Sequence, residues 1–189
     1  MKQGGGKQKG GQFERDVCKM LSLWVSDRTN DDLFWRSAMS GGRATVRAQK
    51  GKSTASGHGD ITAVTPGGNS LTNHFVIECK TYKTLGLGAY VYNQGPLGAI
   101  WKKLQNEADA VKKLPMLVMK ENRKPILVGL QRPVTSYCTK MISVDSVYNY
   151  PLVSYWDNLE IYYLEVLISI NFPSFINEMT EVNNEKKVL

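Results

Sequence analysis

The sequence predicts an α/β fold in which a central mixed β-sheet is flanked by helices. Two observations carry this prediction. Short apolar runs bounded by Gly, Pro, Asn and Ser are typical of buried strands, and longer segments with apolar residues at helical spacing lie between them. In chain order, these patterns predict a helix, three strands, a second helix and two further strands.

The first helix is predicted over residues 13–25, where the apolar residues fall on one side of a helix. The second is predicted over residues 96–113, with Pro96 near its start. The strands are predicted at residues 31–37, 60–65, 75–80, 116–120 and 125–130. Residues 82–95 show no clear period and are expected to form a loop beside the candidate active site. Weaker signals indicate a strand around 141–147 and an apolar run at 161–170.

The length of 189 residues and the hydrophobic content of 42% are enough for one sizeable core and too little for two comfortable domains. We therefore expect a single domain over residues 12–177, with a core over about 12–132 and a C-terminal extension over about 133–177. Residues 1–11 are rich in glycine and lysine and predict a flexible basic arm. Residues 178–189 predict a polar tail.

Positive charge is concentrated in the N-terminal part of the chain. The net charge is +7, and residues 1–52 hold eleven Lys and Arg against five Asp and Glu. Residues 39–59 contain no acid but carry the basic residues Arg43, Arg47, Lys50 and Lys52. Nucleic acid is the expected partner, because phosphate neutralisation releases counterions and provides affinity independent of sequence. The alternative is a basic surface that only promotes solubility.

Targeting and cysteine signals point to a protein of the cytoplasm. No apolar run approaches the roughly 20 residues needed to span a bilayer, and the chain start lacks the apolar core of a signal peptide. Three widely spaced cysteines, Cys18, Cys79 and Cys138, fit neither a disulfide framework nor a structural zinc site. We expect a soluble cytoplasmic protein without membrane contact.

The candidate active site consists of Asp60, Glu78 and Lys80. Alternate side chains of a strand point to opposite faces, so Glu78 and Lys80 share one face of the predicted strand at 75–80. Residues 66–70 are turn formers and predict that the strands at 60–65 and 75–80 are antiparallel neighbours. Asp60 would then lie close to Glu78, and two carboxylates with a lysine can build a hydrolytic metal site.

The acidic-x-Lys pattern alone is weak, since about one accidental match is expected in a chain of this length. Glu185-Lys186-Lys187 is such a match, in a polar segment without a strand pattern. The alternative for Asp60, Glu78 and Lys80 is an exposed cross-strand ion pair worth at most about 1 kcal/mol.

Glu14 is a further candidate. As an acid in the first turn of the predicted helix, it can simply complement the helix dipole. If the helix packs across the sheet edge, Glu14 could instead be a third carboxylate of the metal site.

The order of these motifs resembles the PD-(D/E)xK nuclease superfamily, and within it most closely the archaeal and phage Holliday-junction resolvases. The resemblance covers about residues 10–130. It rests on residues 9–15 at the helix start, Arg36 with Ser40-Gly41, Gly59-Asp60-Ile61, and Ile77-Glu78-Cys79-Lys80. Gly59 stands where the name of the motif has proline, and the chain continues about sixty residues past the usual core.

The resemblance implies a restriction-endonuclease-like core with a catalytic set of Glu14, Asp60, Glu78 and Lys80. Asp60 and Glu78 would bind Mg²⁺, or Mn²⁺ as a substitute, with the backbone carbonyl of Cys79 and the carboxylate of Glu14 as further candidate ligands. Mg²⁺ prefers hard oxygen ligands and commonly uses one or two protein carboxylates. The implied DNA contacts come from Arg15, Arg36, Ser40, Arg43, Arg47, Lys50 and Lys52.

The leading hypothesis is a Mg²⁺-dependent DNA endonuclease that resolves Holliday junctions as a homodimer, because two symmetric cuts suit a two-fold dimer. A nuclease acting on linear or single-stranded DNA, in restriction, repair or phage DNA processing, is the alternative among enzymes. A catalytically inactive nucleic-acid-binding module is the alternative of another class.

Overall fold

The computed structural model describes residues 5–37, 58–91, 94–141, 153–155 and 158–188. The helices of three turns or more are α1 (Gly5–Val25), α4 (Leu97–Ala110) and α7 (Phe172–Val188), with a shorter α5 (Arg132–Met141). Single-turn or slightly longer helices are α2 (Asn69–Thr72), α3 (Leu87–Val91) and α6 (Leu164–Ser169). The strands are β1 (Phe34–Arg36), β2 (Ile61–Ala63), β3 (Phe75–Tyr82), β4 (Leu114–Glu121), β5 (Ile126–Gln131), β6 (Val153–Tyr155) and β7 (Leu159–Tyr163).

The main sheet is mixed and has the strand order β3-β4-β5-β7-β6. β3 and β4 are parallel, whereas the other neighbours are antiparallel. The parallel pair requires a crossover, which α4 provides between the two strands. The structure thus confirms the predicted α/β class, the mixed sheet and its flanking helices.

Hydrophobic packing covers both faces of this sheet. One core lies between the sheet and α1, α5, α6 and α7, and includes Phe75, Ile77 and Cys79 of β3. The other lies between the sheet and α4, and includes Val76 of β3 and Trp101 of the helix. The predicted alternation along β3 is therefore confirmed, because odd and even residues enter different cores.

The predicted antiparallel pairing of the Asp60 and Glu78 strands is wrong. β2 instead pairs with β1 in a separate two-stranded sheet, with Trp35 opposite Thr62. The connection from β2 to β3 contains a 3₁₀ turn at Pro66–Gly68 followed by α2. These helical turns take up the residues that a tight hairpin would have used, and they separate the two strands.

Both chain ends differ from the prediction. The first helix begins at Gly5, inside the segment expected to be a flexible arm. The last helix runs to Val188, and Met179 and Val182 are buried in the core where a polar tail was expected. Their apolar side chains, spaced three residues apart, hold this part of the helix on the molecule.

Two smaller differences concern the loops. Residues 87–91, expected within a loop, form α3, and the chain leading into the expected strand at 141–147 forms α5, which ends at Met141. Residues 142–147 lie outside the described part of the chain. The apolar run at 161–170 divides between β7 and α6.

Candidate active site

Asp60 occupies a short connection that two backbone hydrogen bonds fix between β1 and β3. Its amide donates to the carbonyl oxygen of Ile77 at 2.7 Å, and its carbonyl oxygen accepts from the amide of Ser37 at 2.8 Å. The carboxylate is nearly buried. Asp60 therefore lies next to β3 although β2, the strand that follows it, does not pair with β3. The predicted proximity of Asp60 to the Glu78 strand is confirmed, but the predicted strand pairing is not its cause.

Gly59 makes this close approach to β3 feasible. Its φ is +80°, a value that side-chain-bearing residues rarely adopt, and an added Cβ would lie 2.5 Å from the carbonyl oxygen of Ile77. In the sequence, Gly59 stands out only as a departure from the name of the motif. Its position directly before Asp60 was the available signal, because glycine commonly marks a left-handed residue or a close backbone contact.

The backbone of β3 also orients the Asp60 carboxylate. The amide of Cys79 donates to Oδ2 of Asp60 at 2.9 Å, while the Cys79 side chain is buried on the α1 side of the sheet. Glu78 and Lys80, the residues on either side, point to the other face. A hydrogen bond from a fixed backbone amide holds the carboxylate in one orientation.

The ammonium group of Lys80 joins the two carboxylates. It contacts Oε1 of Glu78, lies 3.5 Å from Oδ2 of Asp60 and donates to the carbonyl oxygen of Cys79 at 3.4 Å. Two carboxylates and one carbonyl oxygen thus converge on a single cationic group. The side chain of Lys80 is one-third exposed, so the cluster opens to solvent on this side.

Burial and mutual repulsion shape the charge of this cluster. Burial raises the pKa of Glu78, and the nearby Asp60 carboxylate raises it further, despite the opposing effect of Lys80. Burial alone would lower the pKa of Lys80, but the Glu78 and Asp60 carboxylates outweigh burial and raise it. The two carboxylates therefore carry more negative charge than the Lys80 ammonium alone can balance.

The oxygen atoms of this cluster suit a hard divalent cation. The donors are the Asp60 and Glu78 carboxylates and the Cys79 carbonyl, and all three already face one ammonium group. Within the residues that the structure describes, no group of three His, Cys, Asp or Glu side chains is placed to share a metal. A metal bound here would accordingly rely on two carboxylates, a carbonyl and water.

Glu14 of α1 forms an ion pair with Nε of Arg36, which belongs to β1. The carboxylate of Glu14 therefore contacts a cation and does not join the Asp60 and Glu78 carboxylates. The pair packs tightly, because a Cβ added at Gly11 would lie 3.1 Å from the Arg36 guanidinium. Gly11 thus gives Arg36 room to lie against the helix. The structure does not bring Glu14 together with Asp60 and Glu78 in a three-carboxylate group.

The remaining predicted DNA contacts divide into two sets. Arg15 is exposed on α1, where its guanidinium donates to Oε1 of Gln12 at 2.9 Å. The other predicted contacts lie outside the described residues: Ser40, Arg43, Arg47, Lys50 and Lys52.

A family model matches residues 5–180 of the chain, and its description is "Phage putative PDDEXK endonuclease". The chain belongs to this family. Membership confirms the PD-(D/E)xK resemblance and the endonuclease class, whereas closeness to the Holliday-junction resolvases stays a prediction. The match extends well past residue 132, so the family includes the C-terminal elements that lie beyond the predicted core.

No curated protein and no solved structure matches this member of the endonuclease family. Among the residues that the structure describes, no helix combines the length and apolarity needed to cross a bilayer.

Proposed function

We propose that the protein is a divalent-metal-dependent DNA endonuclease whose catalytic residues are Asp60, Glu78 and Lys80. One observation carries the proposal: the Asp60 and Glu78 carboxylates converge on the Lys80 ammonium beside β3, the edge strand of the main sheet. Burying two acids beside each other is costly unless a cation compensates them. A structural ion pair would need one acid and one base, so the second carboxylate favours a metal-binding role.

Asp60, Glu78 and the Cys79 carbonyl would hold the cation, for which Mg²⁺ is the favoured species and Mn²⁺ a substitute. A divalent cation in this position supplies a hydroxide nucleophile near neutral pH and polarises the scissile phosphate. The protein contributes fixed ligand geometry, because the Cys79 amide holds the Asp60 carboxylate and the Ile77 carbonyl holds the Asp60 backbone.

Lys80 is better suited to stabilise negative charge than to remove a proton. In the metal-free cluster, the Glu78 and Asp60 carboxylates raise the pKa of Lys80 and so favour its charged form. The ammonium can hydrogen-bond a non-bridging phosphate oxygen, where charge accumulates in the transition state.

Glu14 and Arg36 act as a pair beside this centre in the proposal. Arg36 remains partly exposed while Glu14 holds its Nε, which leaves the outer face of the guanidinium able to meet a backbone phosphate. Arg36 engages Oε2 of Glu14, so a metal at Glu14 would share this carboxylate with the guanidinium or compete with it. Arg15 and the basic residues at 43–52 would add phosphate contacts of the sequence-independent kind.

Branched DNA, and the Holliday junction in particular, is the proposed substrate. Its support is the resemblance carried by the helix-start motif at residues 9–15 together with Asp60 and Glu78-Cys79-Lys80. A homodimer is proposed for the same reason, since paired cuts on opposite strands of a junction are produced naturally by two copies related by a two-fold axis.

The test is a cleavage assay with end-labelled four-way junction, linear duplex and single strand, each in Mg²⁺ or in EDTA. Asp60→Asn and Glu78→Gln remove one ligand charge each, and Glu165→Gln is the matched control because Glu165 is exposed on α6. We expect symmetric junction nicks that need Mg²⁺, a loss of at least about 10²-fold in rate for both site variants, and no change for the control.

Each other outcome rejects a defined part of the proposal. Equal cutting of linear duplex would exclude junction selectivity. DNA binding without metal-dependent cutting by the wild type would leave only the binding-module alternative. Wild-type rates in both Asp60→Asn and Glu78→Gln would show that the active site lies elsewhere.

A further inference from the structure

A cationic groove lies beside the candidate active site, between the N-terminal half of α1 and the ends of β3 and β4. Its volume is about 550 Å³, and Lys9 of α1, Lys83 after β3 and Lys120 of β4 line it together with polar groups. This groove was not part of the predicted DNA-contact set, which placed the basic residues on α1, β1 and the loop at 43–52.

The groove has an excess of positive charge. Lys9, Lys83 and Lys120 form no ion pair with any other residue in the part of the chain that the structure describes. The one acid of the lining is Asp16, whose carboxylate accepts a hydrogen bond from Gln12 at 2.8 Å. Three lysines against one acid leave a surface that attracts anions.

The wall formed by β3 and β4 is held in place by hydrogen bonds. The amide of Asn122 donates to the carbonyl oxygen of Tyr82 at 3.1 Å, and the amide of Leu85 donates to the Glu121 carboxylate at 3.0 Å. In the parallel ladder, Thr81 is paired with Lys120. The chain leaving β3 is therefore fixed along the end of β4, so the lysines of this wall project from an ordered backbone.

The groove is next to the candidate site along β3 and next to the Glu14–Arg36 ion pair along α1. Thr81, which lines it, directly follows Lys80, and consecutive Cα atoms are about 3.8 Å apart. Phe13, which also lines it, directly precedes Glu14 on α1. Because neighbouring side chains of a strand point to opposite faces, the groove opens on the α1 face of β3 while Lys80 faces the other side.

We infer that this groove binds the phosphate backbone of DNA where the DNA continues past the candidate active site, with Lys83 and Lys120 as phosphate contacts. The inference rests on the proposed endonuclease function. Lysine ammonium groups bind phosphate as point charges, and amide and hydroxyl side chains such as those of Asn122 and Thr81 are common additional donors to the backbone.

The experiment compares two full-length double variants that each remove two positive charges. Lys83→Gln/Lys120→Gln changes the groove, and Lys102→Gln/Lys103→Gln changes an exposed pair on α4. Binding to a labelled linear duplex is measured in EDTA over a series of salt concentrations, so that cleavage does not contribute. A Lys83→Arg/Lys120→Arg variant retains the charge at both positions.

We expect the groove variant to bind at least about tenfold more weakly and to show a salt slope lower by roughly two, as for two lost phosphate contacts. The α4 variant and the arginine variant should bind like the wild type. The inference is overturned if the groove variant binds like the wild type, or if the α4 variant loses as much affinity and slope.

Failure of the inference and failure of the proposed function are distinguishable. Metal-dependent cutting by the wild type, combined with unchanged binding by the groove variant, would reject the groove and keep the nuclease. A selective loss of affinity and slope in the groove variant supports the groove even where the wild type cuts none of the DNA substrates. Circular dichroism of each variant verifies folding, and the arginine variant separates lost charge from lost packing.

Discussion

At the scale of single residues, Gly59 determines how closely Asp60 approaches β3. A proline could not replace it, because proline fixes φ near −65° whereas Gly59 has φ +80°. The glycine that departs from the superfamily's motif name is thus a structural requirement of this chain. Its conformation lets the Asp60 amide bond the Ile77 carbonyl and directs the carboxylate to the Cys79 amide.

Replacing Gly59 by alanine should damage both stability and cleavage. The added Cβ would meet the Ile77 carbonyl oxygen at 2.5 Å, and the positive φ adds strain, for a combined cost of about 1–3 kcal/mol. The free energy of unfolding is measured in urea and the rate on DNA with Mg²⁺. Gly10→Ala is the matched control, because a Cβ at Gly10 has no neighbour within 4 Å and alanine favours the helix. Equal behaviour of the two variants would contradict this account.

Replacing Glu78 by glutamine should raise the stability of the protein and abolish cleavage. Because the folded pKa of Glu78 is raised, the folded protein holds this proton to higher pH than the unfolded chain, and stability falls as pH rises from the unfolded pKa through the folded one. At neutral pH in EDTA, Glu78→Gln should therefore melt at a higher temperature than the wild type, while cutting is lost.

The measurement for Glu78 is a thermal melt at several pH values from about 4 to 8, with Glu165→Gln as the control. The difference between wild type and Glu78→Gln should grow with pH, since the neutral amide carries no ionisation cost. A lower melting temperature for Glu78→Gln at neutral pH would show that the ion pair with Lys80 dominates and that this description of the cluster is wrong.

Local rules were sufficient to place Glu78 and Lys80 together in the candidate site, whereas the strand pairing that was expected to bring Asp60 to them was wrong. Strand alternation alone places Glu78 and Lys80 on one face, and no tertiary knowledge is needed for that step. The partner of Glu14 could not be predicted from local rules, because the contact with Arg36 joins residues 22 positions apart, one on a helix and one on a strand. Helical spacing predicts which side of α1 carries Glu14, but it does not identify the cation that pairs with Glu14.

At the scale of elements, α7 is anchored to α1 and β3 by aromatic contacts. The ring of Trp24 lies 5.0 Å from that of Phe172 and 5.1 Å from that of Phe175, and Phe75 stacks on Phe175 at 5.8 Å. The indole N–H of Trp24 donates to the Ile170 carbonyl at 2.7 Å, so its polar atom is also satisfied. The last helix is thus part of the core that supports β3.

Phe175→Ala should lower the free energy of unfolding by about 3–5 kcal/mol, the usual cost of truncating a buried phenylalanine. Urea denaturation followed by tryptophan fluorescence measures the loss, since Trp24 contacts Phe175 directly. Asn177→Ala provides the control because this side chain is exposed two residues away on the same helix. A change below about 1 kcal/mol for Phe175→Ala would show that α7 is only loosely attached.

Element prediction succeeded where apolar runs were dense and failed where polar residues outnumbered them. β4 and β5 are continuous apolar runs around a short polar turn, and the predicted hairpin is confirmed. In α7, Asn, Glu and Lys outnumber the buried residues after Phe175, so composition predicted a tail. Burial of Met179 and Val182 depends on the surface offered by distant elements, which a local pattern does not contain.

At the scale of the whole molecule, the segment after Arg132 completes the sheet that carries the site. β7 pairs with β5, Leu127 lying opposite Tyr163, and β6 then extends the sheet from the other side of β7. The buried Glu160 of β7 accepts hydrogen bonds from Arg132 and Thr135 at the start of α5, which ties that helix to the sheet. The extension is therefore integral to the fold, and the family match across it agrees with this.

A cation held by Asp60, Glu78 and the Cys79 carbonyl should stabilise the entire fold, because those ligands come together only in the folded chain. A ligand at about 100 times its dissociation constant adds about 2.7 kcal/mol. For a protein of this size, that corresponds to a rise of roughly 5–10 °C in melting temperature. Thermal melts with Mg²⁺, Mn²⁺ and EDTA measure this rise.

Asp60→Asn should lose the rise and Glu165→Gln should keep it, because only the first alters a ligand. An equal rise in both variants would mean that the cation stabilises the protein by binding elsewhere on its surface. That result would reject the proposed metal site.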